Sequence, residues 1–95
     1  MKPMKPQGRI MIKITGRVQG VSFRFYTKQK ADELDLCGFV KNNPDESVDI
    51  VAEGDHAALQ KLADWTGKGP EFSTVDHCET AWGEYSGEFS SFEIR

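Results

Sequence analysis

The stretch RIMIKITGRVQGVSFRFYTKQKADEL, Arg9 to Leu34, changes its periodicity along its length. At its start Ile10, Ile12 and Ile14 recur at every second residue, the spacing of a strand with one buried face. At its end SFRFYTKQKADEL holds no glycine or proline. Phe23, Tyr26, Ala31 and Leu34 fall near one helical face there, which predicts a helix over 22–34. Ser22 stands where a side-chain oxygen can cap that helix by accepting a backbone N–H. Between strand and helix lies GRVQGVSFRF, Gly16 to Phe25, with two glycines four residues apart and an arginine between two phenylalanines.

The pattern of strand and helix then recurs. LCGFVKN (36–42) reads as a second strand and NPDES (43–47) as a turn, because proline presets φ and aspartate bonds its own backbone. SVDIVAEG (47–54) is a third strand with Val48, Ile50 and Ala52 on one face. Asp55 caps a second helix, HAALQKLADWT (56–66), on which Leu59, Leu62 and Thr66 align, and Gly67 is expected to end it in a left-handed conformation. FSTVDHCETAWGEY (72–85) is a strand with a bulge or bend, and SFEIR (91–95) a short last one. The order β-α-β-β-α-β with an added strand predicts an α+β, ferredoxin-like sandwich. Two helices should cover one face of a mostly antiparallel sheet, with a short extra C-terminal strand. The opening MKPMKP, with two prolines and no apolar run, reads as a loose tail. The expected organisation is a flexible tail over 1–8 and a single domain over 9–95.

Composition narrows the function classes. No apolar run approaches the ~20 residues of a membrane span, and the start lacks the apolar core of a secretory signal, so a cytoplasmic protein is expected. A net charge of −3 argues against a general nucleic-acid binder. The charge is segregated: residues 1–43 hold nine Lys/Arg against three Asp/Glu, and residues 44–95 hold three against twelve. The Gly-rich stretch lies in the basic half, as an anion site would. Cys37 and Cys78 lack Cys-x-x-Cys spacing and sit far apart in the strand order, so both are expected as thiols. No His/Cys/carboxylate spacing points to a metal, and no cofactor motif is present. His56 and His77 are read as solvent-facing rather than as bases. Trp65, Phe72, Trp82 and Phe92 are read as core or rim.

The Gly-rich stretch has a physical use where it stands. The first N–H groups of a helix have no intrahelical partner, and the helix dipole leaves partial positive charge there. Glycines allow successive N–H groups to converge on an anion. Arg24 in the first turn adds a planar fork matched to phosphate oxygens. Phe23 and Phe25 are expected to anchor the helix and aim Arg24. The motif is neither a Walker loop, having no Gly-Lys-Ser/Thr, nor a dinucleotide fingerprint, lacking the third glycine.

GRVQGVSFRF together with GFVKNNPDESVDIVAEG resembles the acylphosphatase family, and the resemblance runs from Ile10 to the closing FEIR. Its motifs, Gly-x-Val-Gln-Gly-Val-x-Phe-Arg and Gly-aromatic-Val-x-Asn, occur at Gly16–Arg24 and Gly38–Asn42. The resemblance implies hydrolysis of the carboxyl-phosphate bond of acyl phosphates to carboxylate and inorganic phosphate, without metal or covalent phosphoenzyme. It implies that Arg24 and the backbone of Arg17, Val18, Gln19, Gly20, Val21 and Ser22 hold the phosphate, and that Asn42 positions the attacking water. Partners implied are a small acyl phosphate and, as product-like ligands, inorganic phosphate or sulfate; a monomer is the default. Two residues depart from the family pattern. Asp35 and Glu46 stand where glycine is usual, at positions expected to take positive φ. Two other readings compete. One is a non-catalytic ferredoxin-like binding module, although the Lys/Arg-Gly-Phe/Tyr run of RNA-recognition domains is missing. The other is a carbamoyl-phosphate-binding domain of a hydrogenase-maturation carbamoyltransferase, which a chain of this length would not complete.

Overall fold

The computed structural model describes residues 6–20 and 22–95. Val21, expected in the phosphate-binding set, and most of the expected tail lie outside the described residues. In chain order the elements are β1 (Gln7–Arg17), α1 (Phe23–Glu33), β2 (Cys37–Asn42), β3 (Val48–Asp55), α2 (His56–Lys68), β4 (Thr74–Gly83) and β5 (Phe92–Ile94). The five strands form one sheet in the order β4-β1-β3-β2-β5. β1 runs antiparallel to β3 and β4, β2 runs antiparallel to β3, and β5 alone pairs in parallel, with β2. The chain thus has the expected α+β, ferredoxin-like architecture.

The alternating residues build the core. Ile10, Ile12, Ile14, Val40, Val48, Ile50 and Ala52 are buried under the helices. Leu59, Leu62 and Thr66 face them from α2, as the spacing requires. On α1 the inward face is Phe23, Thr27 and Ala31, while Tyr26 is 41% exposed. The expected Tyr26 gives way to Thr27 because Thr27 Oγ1 donates to Phe23 O at 2.8 Å. That bond satisfies the hydroxyl inside the helix and leaves the threonine methyl to pack.

Several boundaries differ from expectation. β1 takes in Gln7 and Gly8, which pair with Asp55 and Gly54, so the sheet reaches into the expected tail. α2 runs through Gly67 and ends at Gly69, whose φ is 73° and whose N–H donates to Trp65 O at 2.8 Å. The left-handed cap expected at Gly67 is therefore absent: the helix ends two residues later, at a glycine whose positive φ is paired with an extended ψ of 167°. Ser22 does not cap α1 through its side chain; its own φ is 62°, and its carbonyl accepts from Tyr26 N–H instead. The expected irregularity in β4 is a bulge: Thr15 pairs with His77 but Gly16 with Val75, leaving Asp76 over. A Cβ at Gly16 would collide with the Thr74 carbonyl, which explains the glycine at the entry to the loop. Cys37 on β2 and Cys78 on β4 are free, separated by β3 and β1.

β4 and β5 lie at opposite edges, so the connection over 84–91 must cross the open face of the sheet. Glu53 holds it there. Its carboxylate is 2% exposed and accepts from Arg9 Nη1 at 2.9 Å, Ser86 N at 3.0 Å, Ser86 Oγ at 2.8 Å and Gly87 N at 3.0 Å. Phe89 then packs edge-on to Phe39, ring centroids 5.9 Å apart. This clasp delivers the chain to the β2 edge, where β5 forms.

The turn over 43–47 has the form of a type I turn followed by one left-handed residue. Glu46 N–H donates to Asn43 O at 3.1 Å, Asn43 N–H to Ser47 O at 2.8 Å, and Glu46 has φ 71°. Asp35, the other departure, has φ 56°. Replacing Glu46 by glycine removes a Cβ penalty and adds unfolded-state entropy. The Glu46→Gly variant should gain ~0.5–1 kcal/mol, seen as a higher urea midpoint; a lower midpoint would contradict the left-handed assignment.

Burial pushes the Glu53 carboxyl up, but the bonds from Ser86, Arg9 and Gly87 outweigh it and hold it below its ordinary value. A depressed folded-state pKa stabilises the protein above the unfolded value, ~4.3 for glutamate. That contribution is lost as pH falls through the folded pKa. Urea unfolding should show wild type more stable than Glu53→Gln at about pH 7, with the gap closing as pH falls through the folded pKa of Glu53. A gap that does not change with pH would show that the clasp does not depend on the charge.

Candidate active site

β1, β2 and β5 point the same way, so their C-terminal ends meet at one end of the sheet. The N-terminus of α1 opens at the same end, because the loop after β1 leads straight into it. The convergence leaves a cleft of about 350 Å³ lined by Val18, Gln19, Gly20, Ser22, Phe23, Arg24, Phe25, Asn42 and Ile94. A hollow of similar volume, ≈ 360 Å³, lies on the open face between Met11, Phe39 and Val51. It has no helix terminus or converging N–H groups, and its two lysines, Lys13 and Lys41, are matched by Asp49 and Glu79.

Among the described residues the cleft is lined by one cationic side chain, Arg24, and by no acidic one. Arg24 sits in the first turn of α1, and its Nη1 donates to the main-chain oxygen of Arg95 at 2.9 Å. Arg95 is in turn fixed by its own N–H, which donates to Val40 O at 2.8 Å. The guanidinium is thus steered by the strand that follows the Glu53 clasp, and its remaining donors make no other bond to the described residues. Phe23 anchors the turn as expected, being 1% exposed and tilted against Trp65 at 5.9 Å. Phe25 does not: it is 58% exposed and lies outward at the mouth of the cleft, one residue past Arg24 on the helix.

The loop has the backbone an anion site needs. Gly20 has φ 74° and Ser22 φ 62°, both left-handed. A Cβ at Gly20 would meet nothing within 4 Å, so the space above it is open to a ligand. The N–H groups of Gln19, Gly20 and Ser22 donate to no acceptor among the described residues. Unpaired N–H groups beside left-handed residues at a helix start are the geometry of an anion nest. The Val18 side chain is buried in the core, so only its main chain can serve the cleft. Arg17 does not line the cleft; it borders a neighbouring hollow with Gly16 and Glu46.

Gln19 does something that its place in the motif did not announce. Its side-chain amide donates to Asn43 O at 2.9 Å and to Ser47 O at 2.8 Å. The loop is thereby latched to the turn that follows Asn42. Within that turn Asn43 Nδ2 donates to Ser47 Oγ at 2.9 Å, and Asp45 accepts from Ser47 N–H at 3.0 Å. Asn42 ends β2 opposite Val48. Its Oδ1 is buried and accepts no hydrogen bond from the described residues. Leaving such an oxygen unpaired costs about 1–3 kcal/mol, a cost that folding alone gives no reason to bear.

Neither histidine enters the cleft. His56 stacks on Trp82, centroids 4.3 Å apart, and His77 borders a hollow with Lys13, Thr15, Asp45 and Glu79. Among the described residues no three His, Cys, Asp or Glu side chains gather as metal ligands would. No helix among them is long and apolar enough to cross a membrane. The contributions of Ile94 and the Arg95 main-chain oxygen were hidden in the sequence, since three residues of strand carry no period that tells which edge they join. The Gln19 latch was hidden for a similar reason: its acceptors are main-chain oxygens more than twenty residues away.

Known proteins share this sequence pattern and this fold. The family model described as Acylphosphatase matches residues 10–94. The acylphosphatase of Pelotomaculum thermopropionicum is 38% identical over 88 residues, covering 93% of this chain and 96% of that one. The crystal structure of the Bacillus subtilis acylphosphatase superposes with a TM-score of 0.89 at 35% identity, covering 93% of this chain and 98% of that one. Full-length HypF, in a phosphate- and nucleotide-bound form, superposes with a TM-score of 0.90 at 26% identity, covering all of this chain but 12% of that one. With the family model spanning nearly every residue and the relatives matched over almost their full length, the chain belongs to the acylphosphatase family of hydrolases.

Proposed function

We propose that the chain hydrolyses the carboxyl-phosphate bond of small acyl phosphates, releasing a carboxylate and inorganic phosphate. The observation that carries this reading is the placing of Arg24, the left-handed residues Gly20 and Ser22 and the unpaired Asn42 Oδ1 around one cleft. The phosphoryl group sits at the α1 N-terminus, held by the fork of Arg24 and by N–H groups of the 17–22 loop. Asn42 Oδ1 accepts a hydrogen bond from a water and directs its oxygen at phosphorus. As the new P–O bond forms, the bond to the acyl oxygen breaks and the carboxylate departs with its electron pair. The water's protons leave with the phosphate and solvent.

The residue types suit the step. Phosphoryl transfer through a loose transition state needs position and charge stabilisation more than a strong base. A carboxylate leaves readily, so a neutral amide suffices, whereas an aspartate at 42 would set its negative charge against the phosphate. Catalysis then requires no metal and no covalent phosphoenzyme. The expected ligands beyond substrate are inorganic phosphate or sulfate, and the expected form is a cytoplasmic monomer of one domain. The likeness to a small part of HypF supports a second reading, an anion-binding domain without turnover. Hydrolysis by the purified chain separates the two.

The test is release of phosphate from benzoyl phosphate, with EDTA and no added metal. Wild type should turn over, and loss of activity restored by Mg²⁺ or Zn²⁺ would overturn the mechanism. Arg24→Ala should abolish turnover and phosphate inhibition together, and Arg24→Lys should not restore them fully, because a point charge lacks the fork. Asn42→Ala should lower kcat by ~10²-fold or more, as loss of a single positioning group does, with much less change in phosphate inhibition. A pure KM effect would give Asn42 a binding role instead.

Gln19 should act through position. Gln19→Ala frees the loop from the turn and should lower kcat/KM by roughly 10-fold, since small misplacements of catalytic groups are costly. Gln19→Glu should be at least as harmful, because its carboxylate would face the Asn43 and Ser47 carbonyls. Wild-type kinetics in both variants would show that the latch is not needed.

A further inference from the structure

The cleft sets polar groups, Gln19, Ser22, Arg24 and Asn42, beside two exposed apolar side chains. Phe25 is 58% exposed and Ile94 42% exposed, and both line the same cleft as Arg24 and Asn42. Large apolar side chains exposed singly are ordinary. These two come from different elements, α1 and β5, and line one cleft with Arg24. Both are held in place. Phe25 is braced edge-on by Tyr26, with ring centroids 5.4 Å apart at 75°. Ile94 pairs with Val40 in the parallel ladder, and the next residue carries the main-chain oxygen that holds Arg24. The strand that aims the cation thus also sets one side of the apolar rim.

The lining says what such a rim accepts. Among the described residues Arg24 is its only ionisable side chain, and in the reaction proposed above the phosphate engages it. A substrate with a second carboxylate on its acyl group would find no cation left in the cleft and would set that charge against Phe25 and Ile94. An apolar acyl group would instead cover them. Resting on the hydrolysis proposed above, we infer that Phe25 and Ile94 form the acyl subsite, and that the substrates are acyl phosphates with an aryl or bulky aliphatic acyl group. Each methylene-sized group taken from water contributes about a factor of four. A rim that covers one face of a phenyl ring accounts for roughly 10-fold over acetyl, within the range that apolar pockets reach.

The experiment compares kcat/KM for benzoyl, acetyl and succinyl phosphate in wild type, Phe25→Ala and Phe25→Lys. Phe25 projects outward, so neither substitution opens the core. Reading each ratio relative to wild type cancels the intrinsic reactivity of the substrates. Phe25→Ala should lower the benzoyl-to-acetyl ratio by about 5- to 10-fold, and Phe25→Lys should raise the succinyl-to-benzoyl ratio by at least as much. Inhibition by inorganic phosphate, which carries no acyl group, should change much less than the ratios. Unchanged ratios in both variants would overturn the subsite while leaving the hydrolysis intact. No turnover of any of the three by wild type would overturn the hydrolysis itself, and the subsite with it.

Discussion

The Gln19 amide, with its bonds to Asn43 O at 2.9 Å and Ser47 O at 2.8 Å, is the point where the two halves of the site are joined. On one side lies the loop that leads into α1 and Arg24. On the other lies the turn that follows Asn42. No covalent or sheet neighbour relation fixes these two segments directly, since β3 stands between β1 and β2 in the sheet. A single side chain with two donors, each given to a main-chain carbonyl, sets the spacing between the glycine loop and the asparagine. Arg24 receives the corresponding support from the other edge, through the Arg95 main-chain oxygen.

Left-handed backbone is concentrated around this arrangement. Gly20 and Ser22 adopt it in the loop, and Glu46 adopts it in the turn that Gln19 grips. For Ser22 and Glu46 the conformation costs roughly 1 kcal/mol each, and the surroundings must hold it. In the loop the cost has a return: it turns N–H groups outward at a helix start, where an anion can meet them. At Glu46 no such return is visible, which makes it a site where stability can rise without touching the cleft.

Most of the fold was legible because it rests on period. Ile10, Ile12, Ile14 and Val48, Ile50, Ala52 alternate, and the structure buries each of them. Where period was weak, capping and local bonds decided. Thr27 replaced Tyr26 on the inner face through its bond to Phe23 O, and α2 continued past Gly67 because nothing there stopped it before Gly69. The candidate site was legible at Arg24, Asn42 and the glycines because a motif carries them. It was not legible at Ile94 or at the Arg95 main-chain oxygen, whose places depend on a strap crossing the open face under Glu53. Nor did the motif separate Arg17, which faces a different hollow, from the residues that line the cleft. Main-chain acceptors and long-range clasps leave no signature in residue type.

The central claim is that attack falls on phosphorus and not on the acyl carbon, with water placed by Asn42 against a phosphate held by Arg24. Single-turnover hydrolysis of benzoyl phosphate in heavy-oxygen water, with both products analysed by mass spectrometry, tests it most directly. The account predicts one heavy oxygen in the inorganic phosphate and none in the benzoate. Heavy oxygen in the benzoate would place the attack at the acyl carbon and contradict the roles given to Arg24 and Asn42 alike.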